Sequence, residues 1–64
     1  MVNVWEVEWW NGDEWENCQL YTLDNNSGRV RDVFISQMYD DEVCDNITVT
    51  YDGSVKNESH IPLV

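Results

Sequence analysis

Residues 2–12 decide the fold: VNVWEVEWW, followed by Asn-Gly. Apolar and polar side chains alternate along the first nine of these residues, which predicts a half-buried β-strand, Val2–Trp10. The residues expected to face the core are Asn3, Trp5, Val7 and Trp9. Glu6 and Glu8 are then expected to face water. Asn11-Gly12 predicts a tight hairpin turn, because both residue types accept a positive φ.

The residues after this turn predict a returning strand from Trp15 to Leu23. Its alternation is less regular, so both of its faces are expected to be partly covered. Cys18, Leu20 and Thr22 belong to one face, and Trp15, Gln19, Tyr21 and Leu23 belong to the other.

A helix is predicted at about residues 27–39, after a loop at 24–28 that contains helix-capping residue types. Its apolar stripe consists of Val30, Val33, Phe34 and Met38, widened by Ile35 and Tyr39. The acidic run Asp40-Asp41-Glu42 is expected to close the helix, although carboxylates there oppose the helix dipole.

The remaining residues predict a third strand, Val43 to Tyr51, and a turn at Asp52-Gly53. Any further strand, near Val55 or at 61–64, would be an edge strand because of Pro62. The sequence therefore predicts one compact acidic domain spanning residues 1–64. Its fold class is α+β: a small antiparallel sheet in the order β-β-α-β, with one amphipathic helix packed on one face.

Charge is the strongest indication of function. Thirteen carboxylates face only three cationic side chains, and the formal net charge is −10. Such an imbalance destabilises a small domain through self-repulsion, and a strongly basic partner would relieve it. The four Trp residues allow a short chain to fold despite its small core, and homodimerisation is the other common remedy.

The carboxylates fall into two predicted patches. Glu6 and Glu8 are separated on one strand face by about 6.5–7 Å, a spacing comparable to that of phosphates along a DNA strand. The residues expected to extend this patch are Asp13, Glu14 and Glu16. The second patch consists of Asp40, Asp41, Glu42 and Asp45, with Asp32 on the helix between the two. The alternative is a solvated acidic surface that only confers solubility.

Trp10 and Trp15 flank the predicted turn and have two interpretations. Exposed Trp beside carboxylates is typical of a protein-binding hot spot, whereas cross-strand packing would make the pair structural. Direct binding of nucleic acid is not expected, because it requires a cationic surface.

Catalysis, cofactors and specific metal binding are not expected. His60 is the only histidine, and no basic residue lies near Cys18 or Cys44 in the sequence to activate a thiol. Asp24-x-Asn26-x-Gly28 begins like a calcium loop, but its glycine comes one position early and Ile35 occupies the twelfth position.

Met1 is followed by neither a basic segment nor an apolar one, so a soluble cytoplasmic protein without membrane contact is expected. The cytoplasm in question would be that of the host if the chain is viral. Both cysteines are then expected to be reduced and partly buried, with a disulfide as the alternative.

In composition the whole chain resembles the small acidic proteins that phages use against host defences. These include DNA-mimic inhibitors of restriction enzymes, nucleases, glycosylases and CRISPR effectors. The resemblance rests on length, charge and aromatic content, without a shared motif, and assigns no residue roles. It implies an inhibitor that blocks the basic surface of a nucleic-acid-binding protein. The alternatives are a regulatory module that binds through Trp10, Trp15 and the Tyr39 end of the helix, and a halophile protein.

Overall fold

The computed structural model describes residues 1–37 and 45–64. Its elements are β1 (Val2–Trp10), β2 (Trp15–Thr22), α1 (Ser27–Gln37) and β3 (Asp45–Val55). The strands form one antiparallel sheet in the order β2-β1-β3, so the first strand of the chain is the central one. The α+β class and the order β-β-α-β are confirmed.

The helix packs on one face of the sheet and encloses the core, as predicted. Alternation along β1 buries Trp5, Val7 and Trp9, which pack with Val30 and Phe34 of α1. The ring centroids of Trp9 and Phe34 are 4.9 Å apart. We call this helix-covered side of the sheet the inner face and the opposite side the outer face.

The helix begins where Asn26 caps it. The Asn26 side-chain oxygen accepts a hydrogen bond from the Arg29 backbone N–H at 3.1 Å, which satisfies a donor with no partner inside the helix. Ile35 was predicted to widen the apolar stripe, and this is wrong: it is 45% exposed. At 100° per residue it lies about 140° around the helix from Val30, away from the sheet.

The predicted end of the helix lies outside the described residues, and so does the start of the third predicted strand. This applies to Met38, Tyr39, the acidic run Asp40-Asp41-Glu42, Val43 and Cys44.

The predicted turn at Asp52-Gly53 is wrong, because β3 continues through these residues to Val55. Both residues lie opposite the single residue Val4 of β1, which makes a β-bulge. Gly53 adopts a φ of 91°, a conformation that other residue types rarely adopt. A second register shift lies near the start of β3, where Asn46 has a φ of 54°.

The segment after β3 crosses the outer face. Leu63 forms a parallel bridge with Tyr21, so the segment passes from the β3 edge of the sheet to the β2 edge. Residues of this segment and of the sheet, among them Tyr21, Val55, Ile61 and Pro62, line a cavity of about 340 Å³. The predicted fourth strand is thus reduced to one bridge. The crossing segment covers the first outer-face residues of β1, which explains why they are buried. Val2, for example, is 0% exposed.

A buried hydroxyl joins β2 to the central strand. Thr22 is fully buried, and its oxygen accepts a hydrogen bond from the Trp5 indole N–H at 2.8 Å. The Thr22 hydroxyl in turn donates to the Asp24 carbonyl at 2.7 Å. Both polar groups are therefore satisfied inside the protein, as the large majority of buried polar groups are.

Replacing Thr22 with Val is expected to lower the free energy of unfolding by about 1–3 kcal/mol, because it leaves the buried Trp5 N–H without an acceptor. Urea unfolding followed by tryptophan fluorescence measures this loss. Thr50→Val is the control, since Thr50 is exposed on β3. Equal stability of the two variants would contradict a structural role for the Thr22 hydroxyl.

Candidate functional site

The open part of the outer face is built around Glu6 and Glu8. Because alternate residues of β1 point to opposite sides, both carboxylates lie on the side away from the helix. Glu8 is exposed and Glu6 is half-buried. The crossing segment lies at the other end of the strand, over Val2 and Val4, so this acidic pair stays accessible.

Small polar side chains surround this acidic pair. Glu6 lies between Gln19 on β2 and Thr50 on β3, and Glu8 lies between Asn17 and Thr48 in the same way. Residues directly opposite each other on neighbouring strands share a face, so these amides and hydroxyls flank the carboxylates on both sides. This part of the outer face, between Trp10 and Val4, is therefore polar. Among its described sheet residues, only Glu6 and Glu8 are charged.

The turn that follows β1 depends on an asparagine side chain. The Asn11 Oδ1 atom accepts hydrogen bonds from the backbone N–H groups of Asp13 and Glu14, each at 2.8 Å. Gly12 adopts a φ of 98°, whereas Asn11 does not have a positive φ. The predicted turn is present, but Asn11 contributes its side-chain acceptor and not the predicted backbone conformation. The two carboxylates of the turn are exposed.

Trp10 and Trp15 pack against each other across the hairpin. They are directly paired on β1 and β2, and their ring centroids are 5.6 Å apart in an edge-to-face arrangement. Such a pair stabilises a hairpin by about 0.5–1.5 kcal/mol beyond its buried area. Trp15 remains 56% exposed, so the pair also offers aromatic surface beside the carboxylates.

One end of the sheet collects charge from two strands, β1 and β3, and from the turn. We call it the acidic end, and it contains Glu8, Asp13, Glu14 and Asp45. Asp45 lies there because it is the partner of Trp10 on β3. Glu16 pairs with Trp9 and so belongs to the inner face, which means that it does not continue the row formed by Glu6 and Glu8. Asp40, Asp41 and Glu42 lie outside the described residues, and Asp32 lies on the exposed side of α1.

Two of the three cationic side chains, Arg29 and Lys56, lie away from the acidic end, and Arg31 is exposed on α1. Arg29, in the first turn of α1, contacts the Asp24 carboxylate and donates to the Val64 carbonyl at 3.0 Å. Lys56 directly follows the pairing of Val55 with Val2, at the far end of the sheet. In the described part of the chain, the carboxylates of the acidic end form no ion pair. Sequence reasoning missed this separation, which depends on the pairing of distant strands.

The structure describes the surroundings of most of the groups that were considered for other chemistry. Burial raises the pKa of the Cys18 thiol, which disfavours the nucleophilic thiolate form. Cys18 is half-buried and unbridged, and Cys44 lies outside the described residues. Asp24 and Asn26, the start of the loop with a calcium-like pattern, are used to hold Arg29. His60 is exposed beside Glu58, with 3.4 Å between Nδ1 and Oε2.

Comparisons with known proteins do not identify the chain: no protein-family model, curated protein or solved structure matches it. Over the residues that the structure describes, no helix is both long and apolar enough to cross a membrane.

Proposed function

We propose that this chain is a small acidic inhibitor that binds the basic surface of a nucleic-acid-binding protein and blocks it by imitating phosphates. The observation that carries the proposal is the open row of Glu6 and Glu8. It leads into an acidic end whose carboxylates form no ion pair with any residue that the structure describes. The inhibitor would contact its target and not the nucleic acid itself, because like charges repel.

The spacing of the row supports phosphate mimicry. A strand rises by about 3.3 Å per residue, so the two glutamates of one face lie about 6.5–7 Å apart. Phosphates of one DNA strand rise by about 3.4 Å along the axis, and their helical path makes the direct separation larger and comparable to that of the glutamates. Because β1 is the central strand, this spacing is held rigidly by pairing on both sides.

The charge distribution supports fast and oriented association. A surface of one sign attracts a partner of the opposite sign from a distance and increases the association rate. Since Arg29 and Lys56 lie away from the acidic end, the distribution of charge over the molecule is uneven, and its field is directional. A basic cleft would therefore meet the acidic end first.

The biological setting that fits this mechanism is an anti-defence protein of phage type. Its target would be a restriction enzyme, a nuclease or a CRISPR effector, and it would act in the cytoplasm, which is that of the host if the chain is viral. The protein would need no cofactor, metal or catalytic residue for this role.

A second candidate function rests on the Trp10–Trp15 pair. The 56% exposure of Trp15 favours a regulatory module that binds one partner through aromatic surface, with acidity serving only solubility. A hydrophobic interface of this kind depends far less on salt than a charged one does.

Affinity capture from a bacterial lysate at about 50 mM and about 200 mM salt tests the proposal, because contacts that replace phosphates weaken steeply over that range. We expect recovery of a nucleic-acid enzyme at low salt, its release at the higher salt and its displacement by competing duplex DNA. Mass spectrometry identifies the captured protein. A partner that resists both salt and DNA would contradict phosphate mimicry and favour the aromatic interface.

A further inference from the structure

The outward edge of β3 is the longest unpaired backbone surface in the described part of the chain. Among these residues β3 has a neighbouring strand on one side only, which is β1. The opposite edge of the sheet differs, because Leu63 bridges Tyr21 there and the Val64 N–H donates to the Tyr21 carbonyl at 2.9 Å. Among the described residues, no other strand pairs with the N–H and C=O groups on this edge of β3, and unpaired groups of this kind can bind an added strand.

Within its described residues, this edge lacks two common protections against strand addition, namely Lys and Pro. Proteins commonly block an edge with Lys, Pro or a covering segment, and Asp45–Val55 contains neither Lys nor Pro. The two register shifts lie near the ends of the strand, which leaves a regular stretch at Thr48–Tyr51. The length of this stretch is close to that of an ordinary β-strand, which is about five residues.

The side chains of β3 specify the chemistry of an added strand. On the inner face, Ile47 and Val49 are half-buried and Tyr51 is 49% exposed, so apolar residues of a partner would complete their burial. On the outer face, Thr48 and Thr50 are small, exposed and directly beside Glu8 and Glu6.

A cation on the added strand could reach these glutamates. A residue opposite Thr48 would lie two strand spacings from β1, about 9–10 Å. The long stem of Lys or Arg can extend over the small threonine toward the Glu8 carboxylate, keeping its apolar part on the sheet. An added strand with cations on one face and apolar residues on the other therefore matches both faces of β3.

We infer that the β3 edge binds an alternating basic strand of the partner protein by β-strand addition, with its cations over Thr48 and Thr50 and its apolar residues over Ile47 and Val49. Main-chain hydrogen bonds would supply affinity and the alternating side chains would supply specificity. A second copy of this chain fits less well, since Asp45 and Asp52 would bring further carboxylates to an already acidic edge. The inference rests on the proposed function, because both require a basic partner.

A synthetic peptide of about nine residues, with lysines alternating with valines, tests the inference. The control peptide has the same composition with its lysines and valines in separate blocks. Titration followed by tryptophan fluorescence gives affinity, and amide hydrogen exchange reports which backbone groups are protected. We expect the alternating peptide to bind at least about tenfold more tightly than the blocked peptide and to protect β3 amides.

Two matched variants separate strand addition from simple charge attraction. Thr48→Lys and Asn17→Lys place the same charge on either side of Glu8, one on β3 and the other on β2. We expect Thr48→Lys to weaken binding of the alternating peptide about tenfold more than Asn17→Lys does. Only the lysine at position 48 would repel the cations of a strand added at the β3 edge. Both positions are exposed, and circular dichroism checks that both variants fold.

Three outcomes would overturn the inference. Equal affinity for the two peptides without protection of β3 would show charge attraction alone, and would leave the proposed function intact. Concentration-dependent protection of β3 without any peptide would assign the edge to a second copy of the chain. Absence of peptide binding, combined with capture of an enzyme that DNA displaces, would reject strand addition and not phosphate mimicry.

Discussion

Reversing both charges of the outer-face row, Glu6→Lys together with Glu8→Lys, is expected to weaken binding to the captured target at least about 100-fold, or about 2.7 kcal/mol. Each substitution replaces attraction to a target cation with repulsion, and close charge pairs at interfaces couple by about 1.5–7 kcal/mol. The fold should tolerate the change, because the neighbours of both positions are uncharged amides and hydroxyls. Lower self-repulsion should even raise the unfolding temperature.

The matched control reverses two carboxylates elsewhere, Asp32→Lys and Glu58→Lys, both of which are exposed. It changes the net charge equally, so it measures the effect of the overall field. Titration calorimetry at one fixed salt concentration compares the affinities of the two variants for the target. A third variant, Trp15→Ala, tests the aromatic-interface function in the same assay. If Trp15→Ala weakens binding more than the reversal of Glu6 and Glu8, the aromatic-interface function replaces phosphate mimicry.

Phe34→Ala is expected to remove a large part of the protein's stability, lowering the free energy of unfolding by about 3–5 kcal/mol. Phe34 is 1% exposed and packs on Trp9, and removing a buried Phe costs about 3–5 kcal/mol. A domain of this size has a total stability of about 3–10 kcal/mol, at about 0.05–0.15 kcal/mol per residue. The helix also depends on this side chain, because Val30 and Phe34 are its only fully buried residues in the described segment.

Urea unfolding followed by circular dichroism measures this effect. Ile35→Ala is the control, since it removes a similar apolar side chain from the next helix position, where the residue is 45% exposed. We expect the control to change stability by less than about 1 kcal/mol. Comparable losses in the two variants would contradict the orientation of α1 described above.

Alternation within single elements was enough to predict most of the fold. It placed Trp5, Val7 and Trp9 in the core correctly, and it predicted both faces of β2. It failed at Asp52-Gly53, because a turn and a glycine-containing bulge use the same residue types. Whether these residues form a turn or a bulge depends on whether β3 continues to pair with β1 beyond them. That pairing is a contact between residues far apart in the sequence.

Much of the candidate site could not be predicted for the same reason. The spacing of Glu6 and Glu8 follows from one strand, but their threonine and amide neighbours follow from the sheet order. Glu16 was predicted to extend their row, although its alternation with Cys18 and Leu20 already indicated the other face. Burial of Val2 and Val4 on the outer face requires the crossing segment, which has no periodic signal.

The central position of β1 also affects how the chain folds. Val2 pairs with Val55, so this contact cannot form until the chain is available as far as residue 55, and sheets with such distant contacts fold slowly. Until then a strand rich in tryptophan is exposed to other unfolded chains. Glu6 and Glu8 interrupt its apolar residues, and their charges oppose the aggregation of such a segment. The carboxylates proposed to attract a target would thus first keep identical chains apart.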